Sequence, residues 1–98
     1  MSTQLREHAD VSLERPARYG KQLAMHLSHK CEMSETSTGW ELNIRDGRGI
    51  IIPGENVLTL DALAPSQESR AIVKDVLERH LRKFAAKLDP LTIYWGKN

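Results

Sequence analysis

Residues 40–54 read Trp40-Glu41-Leu42-Asn43-Ile44-Arg45-Asp46-Gly47-Arg48-Gly49-Ile50-Ile51-Ile52-Pro53-Gly54. Trp40, Leu42 and Ile44 alternate with Glu41, Asn43 and Arg45, the period of two expected of a strand with one buried face. Asp46-Gly47 follows. It is a favoured hairpin pair because both central positions accept positive φ, so the chain is expected to return along a partner strand from Arg48 to Ile52. Pro53-Gly54 marks the next turn, since Pro fixes φ at one central position and Gly accepts positive φ at the other. Val57 to Ala64 then reads as a strand with Leu58, Leu60 and Ala62 on one face. Upstream, Cys31 to Thr36 is the first and weakest of these four strands. Links this short force antiparallel neighbours, so the middle of the chain is expected to form an antiparallel sheet.

Outward from that sheet the pattern changes period. Towards the N-terminus, residues 4–13 place Leu5, Ala9, Val11 and Leu13 on one side of a half-buried strand, a row that Glu7 interrupts. Pro16 suits a first helical position, and Tyr19, Leu23 and Leu27 recur at helical spacing, which predicts a helix from about Pro16 to Lys30. Downstream, Ser66 reads as an N-cap with Glu68 in the first turn, where a carboxylate complements the helix dipole. Val73, Val76, Leu77, His80, Leu81, Phe84 and Leu88 mark one face of a helix reaching about Leu88, with Arg79, Arg82, Lys83 and Lys87 in its later half. Asp89-Pro90 ends it, and Leu91, Ile93 and Trp95 predict a last short strand. The expected fold class is α+β: two layers, a mainly antiparallel sheet with two amphipathic helices on one face, in the order strand, helix, four short strands, helix, strand.

The chain has 98 residues and a mass of 11.1 kDa, which fits one domain over residues 1–98 with a core that buries about 65% of its unfolded surface. Fourteen Lys plus Arg against thirteen Asp plus Glu leave a formal charge of +1, so no global field draws it to nucleic acid or to an anionic membrane. One Phe, two Trp and two Tyr are few for stacking on bases. The single cysteine, Cys31, excludes an intramolecular disulfide and a Cys-rich zinc site, and a reducing compartment is the default. The N-terminus has no apolar leader region, and no window is long and apolar enough to span a bilayer. A cytoplasmic protein with no membrane span is expected.

The chemistry-bearing residues concentrate on the first helix. Projected at 100° per residue, Arg18, Gln22, His26 and His29 gather on one flank, with Lys30 near the edge of the core. Arg15, Arg18, Lys21 and Lys30, with no carboxylate between residues 15 and 30, give that segment a local charge of +4. The histidines add charge as they protonate near about pH 6.5. An anionic small molecule or an acidic protein surface can meet this flank, with Arg18 able to hold a carboxylate or phosphate in two bonds. The competing reading is a solvated basic stripe neutralised by Glu32, Glu35 and Glu41 just downstream.

His26-x-x-His29 with Cys31 close by and His80 as a remote fourth group raises a metal question. No His-Glu-x-x-His, Cys-x-x-Cys or carboxylate completes the set, so no bound metal and no cofactor are expected. His80 lies between Leu77 and Phe84 and reads as a buried imidazole bonded to backbone or to a side chain of the first helix. Cys31 carries no signature of a catalytic nucleophile, and Gly47-x-Gly49 falls in a hairpin rather than between strand and helix, so it is no phosphate loop. Trp40 and Trp95 are expected to fill the core against the helices.

The run Arg18-Tyr19-Gly20-Lys21-Gln22-Leu23-Ala24-Met25-His26-Leu27-Ser28-His29-Lys30, with Val76-x-x-x-His80-Leu81-x-x-Phe84-Ala85 and Leu91-x-x-x-Trp95, resembles the small bacterial family catalogued as domain of unknown function 2218. The resemblance covers nearly the whole chain. It implies stand-alone domains of about this length, some similar to the tail of flavin-binding siderophore-interacting proteins, and through them a link to iron or redox metabolism. Arg18, Tyr19, Gln22, Leu23, His26, His29, Lys30, His80, Leu81, Phe84 and Trp95 match the family pattern, which carries no activity with it. At Ala24, Met25 and Leu27, where members often have Cys, Lys and Phe, and at Ile51, where Cys is common, this chain departs from that pattern. The missing thiols argue further against metal or redox chemistry. In fold the family is similar to the C-terminal domain of phosphohexomutases, an analogy that carries no function.

Three functions follow as expectations. The first is a non-catalytic binding or accessory module in which Arg18, Gln22, His26, His29 and Lys30 receive an anionic ligand or partner. The second is a small enzyme using His26 or His29 as general acid or base, which requires a perturbed histidine in a cleft. The third is a structural module that self-associates through a sheet face or edge, its resting state a monomer or a weak homodimer.

Overall fold

The computed structural model describes residues 5–85 and 93–97. In chain order the elements are β1 (Leu5–Ser12), α1 (Pro16–Leu27), β2 (Met33–Glu35), β3 (Trp40–Ile44), β4 (Gly47–Pro53), β5 (Val57–Ala64), α2 (Gln67–Phe84) and β6 (Gly96–Lys97). The strands form one six-stranded sheet in the order β2-β3-β4-β5-β1-β6, antiparallel at every pairing. Gly20 of α1 lies over Trp40, Ile51 and Leu58, and Leu77 of α2 lies over Gly49. Ile51 and Gly49 share one side of β4, so both helices cover the same sheet face, as the apolar patterns required. The fold is the expected two-layer α+β arrangement, and its core joins Leu23 and Leu27, Leu42, Ile51, Leu58 and Leu60, and Val73, Leu77 and Leu81, all buried.

β1 pairs with β5 along its whole length, from Leu5 opposite Ala64 to Ser12 opposite Val57. The odd residues of β1 face the helices, and Glu7 is one of them. Its Oε1 lies 3.0 Å from Arg70 Nε and 3.0 Å from Lys74 Nζ, so α2 supplies the two cations that let a carboxylate sit at 7% exposure in an otherwise apolar row.

Both expected turns form, the first one residue and the second two residues beside where the sequence places them. Ile44 pairs with Gly47, so the hairpin loop is Arg45-Asp46, with Arg45 at φ 56 and no glycine at positive φ. Gly47 instead lies inside β4 on the helix side. A Cβ there would sit 2.5 Å from the Leu63 carbonyl oxygen and 2.9 Å from Val73 Cγ2. This glycine serves the close approach of α2 to the sheet rather than the turn. The next loop likewise closes from Gly54 N to Val57 O at 2.7 Å, with the left-handed conformation on Asn56 and Pro53 paired in β4.

The helix ends divide similarly. Ser66 caps α2 as expected, accepting a 3.1 Å bond from the Ser69 amide. α1 starts at Pro16 behind a left-handed Arg15 that contributes no side-chain cap and stops at Leu27 rather than Lys30. There the Ser28 hydroxyl donates to the Met25 carbonyl at 2.6 Å, and the Leu27 carbonyl takes the Lys30 and Cys31 amides at 2.9 and 2.8 Å. The stretch expected to continue α2 to Leu88, with Lys87, and the start of the last strand at Leu91 and Thr92 lie outside the described residues. Residues 93–95 are not in a strand. The edge pairing beside β1 is made by Gly96–Lys97, because Trp95 turns to α2, where its Nε1 donates to Glu78 at 3.0 Å. Among the described residues no helix is long and apolar enough to cross a membrane.

Candidate functional site

The tight turn after Leu27 carries Lys30 and Cys31 to the mouth of a groove of about 1050 Å³ bounded by α1, α2 and the β3–β4 hairpin. On α2 its wall takes residues 68, 71, 72, 75, 76, 79, 80 and 83, steps of three and four that select one helix face over about 22 Å of helix. The floor is apolar, with Leu27, Ile44, Ile72 and Val76, and the rim carries Lys30, Arg45, Arg79 and Lys83. Lys30, Arg45 and Lys83 make no ion pair among the described residues, while Arg79 holds Asp75 only at 3.8 Å with both side chains about two-thirds exposed. An exposed pair of that kind is worth little.

Behind the rim three rings meet. His26 lies 5.1 Å from His80 between ring centroids, and it meets Phe84 edge-on at 5.0 Å. His80 Nδ1 is 2.7 Å from the Val76 carbonyl, which only accepts. Nδ1 therefore carries the proton, and Nε2 is the nitrogen left to meet a ligand. The imidazole is half-buried and backbone-bonded, close to the expectation for it. Partial burial against these rings, then the charges of His80, Lys83, Lys30 and His29, hold the His26 pKa below the usual imidazole value. His26 thus reports a concentration of positive charge to which both helices contribute.

The structure divides the flank expected from sequence. Lys30 lines the groove and His26 backs it through His80. Arg18 and Gln22 are exposed on α1, His29 is exposed in the turn that follows it, and none of the three lines the groove. The downstream carboxylates do not neutralise α1 either: Glu41 pairs with Arg48 at 3.3 Å, Glu32 meets Asn43 at 3.5 Å, and Glu35 is exposed. In place of the three lost residues come Arg45, Arg79 and Lys83, with His80 in a new role. The signal for Arg79, His80 and Lys83 was present as helical spacing on α2, and nothing local marked Arg45.

The opposite sheet face presents a contrasting polar cluster. Asp61, 3% exposed, takes Arg6 at 2.9 Å and stands directly across from His8. Among the described residues Asp61 Oδ1 and His8 Nδ1 are buried without a hydrogen-bond partner. Arg6 and Arg48 there are both paired, whereas Lys30, Arg45 and Lys83 have no ion-pair partner among the described residues. Among the described residues no group of three His, Cys, Asp or Glu side chains is placed to hold a metal ion.

A family model described as an uncharacterized protein conserved in bacteria, DUF2218, matches residues 8–96. Among solved structures, the NMR structure of PA4090 from Pseudomonas aeruginosa superposes with a TM-score of 0.79 at 25% identity, covering 94% of this chain and 95% of that one. No curated protein matches the sequence.

Proposed function

The chain belongs to the DUF2218 family of bacterial proteins, and we propose that it serves as a non-catalytic binding module whose basic groove receives an anionic ligand or an acidic partner surface. One observation carries the reading: Lys30, Arg45 and Lys83 converge on a single groove with no ion pair among the described residues. An anion seated there gains charge-assisted bonds and offsets the neighbouring positive charges that, after burial, lower the His26 pKa. Carboxylate siderophores are polyanions of suitable charge, and the iron-linked role implied by the family resemblance enters as part of this proposal. His26 packed against Phe84 and an exposed His29 offer less to general acid–base catalysis, which needs a base facing a bound substrate.

NMR titration tests the reading with phosphate, citrate and a carboxylate siderophore at about pH 6 and about pH 8, on either side of the imidazole transition. Shifts centred on Lys30, His80 and Lys83 are expected, weaker at the higher pH and weaker with added salt, because exposed charges are screened within about 10 Å at 0.1 M. Shifts confined to Arg18, Gln22 and His29 would move the site back to the outer flank of α1. Unmoved signals under all three anions refute anion binding.

A further inference from the structure

The groove's lining is uneven. Lys30 and Lys83 line it together with His80, whose ring centroid lies 5.1 Å from that of His26, and both lysines lie close enough to His26 to act on its charge. The rest of the lining mixes the apolar Leu27, Ile72 and Val76 with Arg45, Arg79, Glu68 and Asp75. Inorganic phosphate or citrate uses the cations and leaves the apolar floor wet.

We propose that the groove takes an amphiphilic carboxylate, its carboxylate at Lys30, His80 and Lys83 and its apolar chain or ring laid on Leu27, Ile72 and Val76. This rests on the anion-binding reading and adds the chemical class of the ligand. A volume of about 1050 Å³ accommodates a medium-length chain, since small-molecule sites run to about 1,000 Å³. His80 Nε2 is suited to the head group because Nδ1 is held by the Val76 carbonyl, which leaves Nε2 as the ring nitrogen free to meet a ligand. Binding of an apolar body removes water from Ile72 and Val76, which are only half-buried, a gain no small inorganic anion obtains.

The test is a homologous series of free monocarboxylates from acetate to decanoate, below their micelle concentrations, followed by NMR and calorimetry on the full chain beside phosphate and citrate. A fully buried methylene is worth about a fourfold gain in affinity, so an open groove predicts about twofold per methylene. Hexanoate to decanoate should then gain about 16-fold. Lys83→Gln should weaken every member by a similar factor. Ala71→Glu, at an exposed helical position on the groove wall, should flatten the chain-length dependence. Phosphate binding with no chain-length dependence overturns the amphiphile and leaves the anion reading standing, whereas silence under every anion overturns both. The amphiphile is also overturned by decanoate affinity that neither variant lowers, by binding seen only on anionic vesicles, or by groove shifts that follow protein dilution without ligand.

Discussion

Glu7 provides the most direct test of how α2 is held to the sheet. Its side chain is 9% exposed and a single oxygen contacts Arg70 and Lys74, which are 11% and 27% exposed. At an effective dielectric near 20, each contact at this separation is worth about 5 kcal/mol of gross attraction, most of it offset by the desolvation of three charges. Removing the charge alone, as in Glu7→Gln, leaves two cations facing a neutral amide. Breaking a buried pair costs about 3–5 kcal/mol, and Lys74, the more exposed partner, can regain water, so the expected loss is about 2–4 kcal/mol. For a chain of this length that is a fall in Tm of about 10–25 °C. Urea and thermal unfolding followed by circular dichroism measure it. A double-mutant cycle with Lys74→Met separates the pair from the rest, and the two changes should be less than additive because they share one oxygen. Glu7→Leu, which fills the space but answers neither cation, should not restore stability. A loss in Glu7→Gln below about 0.5 kcal/mol, the range of ordinary surface changes, would refute the account and mean that apolar packing alone holds α2.

Four further outcomes are expected. Leu23→Ala and Leu77→Ala, both fully buried, should each destabilise by about 2–5 kcal/mol in urea unfolding, and a surface-sized effect would place the helix faces wrongly. Gly47→Ala should lose about 1–3 kcal/mol, because its Cβ presses on the Leu63 carbonyl and on Val73; a neutral result would show that α2 can lift from the sheet. For His26, a folded pKa below the unfolded value of about 6.5 means that the unfolded chain binds the extra proton first. Its share of stability is therefore present above about pH 6.5 and is lost as pH falls towards the folded pKa. His26→Gln should flatten that part of the stability profile, and an unchanged slope refutes the assignment. Arg45→Gly and Arg15→Gly should each stabilise by about 0.5–1 kcal/mol by relieving left-handed strain, but only the first should weaken phosphate binding.

What the sequence made legible is what neighbouring residues decide between themselves. The alternation in β3 and β5, the Ser66 cap and the spacing of Leu23 with Leu27 and of Val73 with Leu77 each encode one local structure, and each is found. The first turn shifted by a residue because Gly47 is subject to a demand from outside the hairpin. α2 crosses β4 there, and a helix 26 residues downstream of Gly47, at Val73, leaves no trace in the Asp46-Gly47 pair. Glu7 looked like an error in an apolar row for the same reason, since its partners Arg70 and Lys74 lie more than sixty residues away. The candidate site was half legible. His26 and Lys30 were found because they belong to one basic run, while the end of α1, the face of α2 and the hairpin turn meet only through the sheet order, which periodicity does not determine.

The placement of the groove's cations has two physical origins that differ in what they imply. Lys83 lies in the last turn of α2 and Lys30 just beyond the end of α1, where a cation meets the partial negative charge of a helix terminus and gains about 0.3–1 kcal/mol. Helix dipoles alone therefore account for those two. They do not account for Arg45, which sits at a hairpin turn in a left-handed conformation that costs an ordinary side chain about 1–2 kcal/mol and that Gly or Asn adopts at lower cost. Its neighbour Gly47 was available to chemistry of that kind and lies in the strand instead. Arg15 carries the same backbone strain but lies outside the groove, so strain by itself identifies no site. Arg45 differs in that a strained position and an open positive charge coincide on the groove rim, a combination that charge balance within the described fold does not require and that binding an anion would.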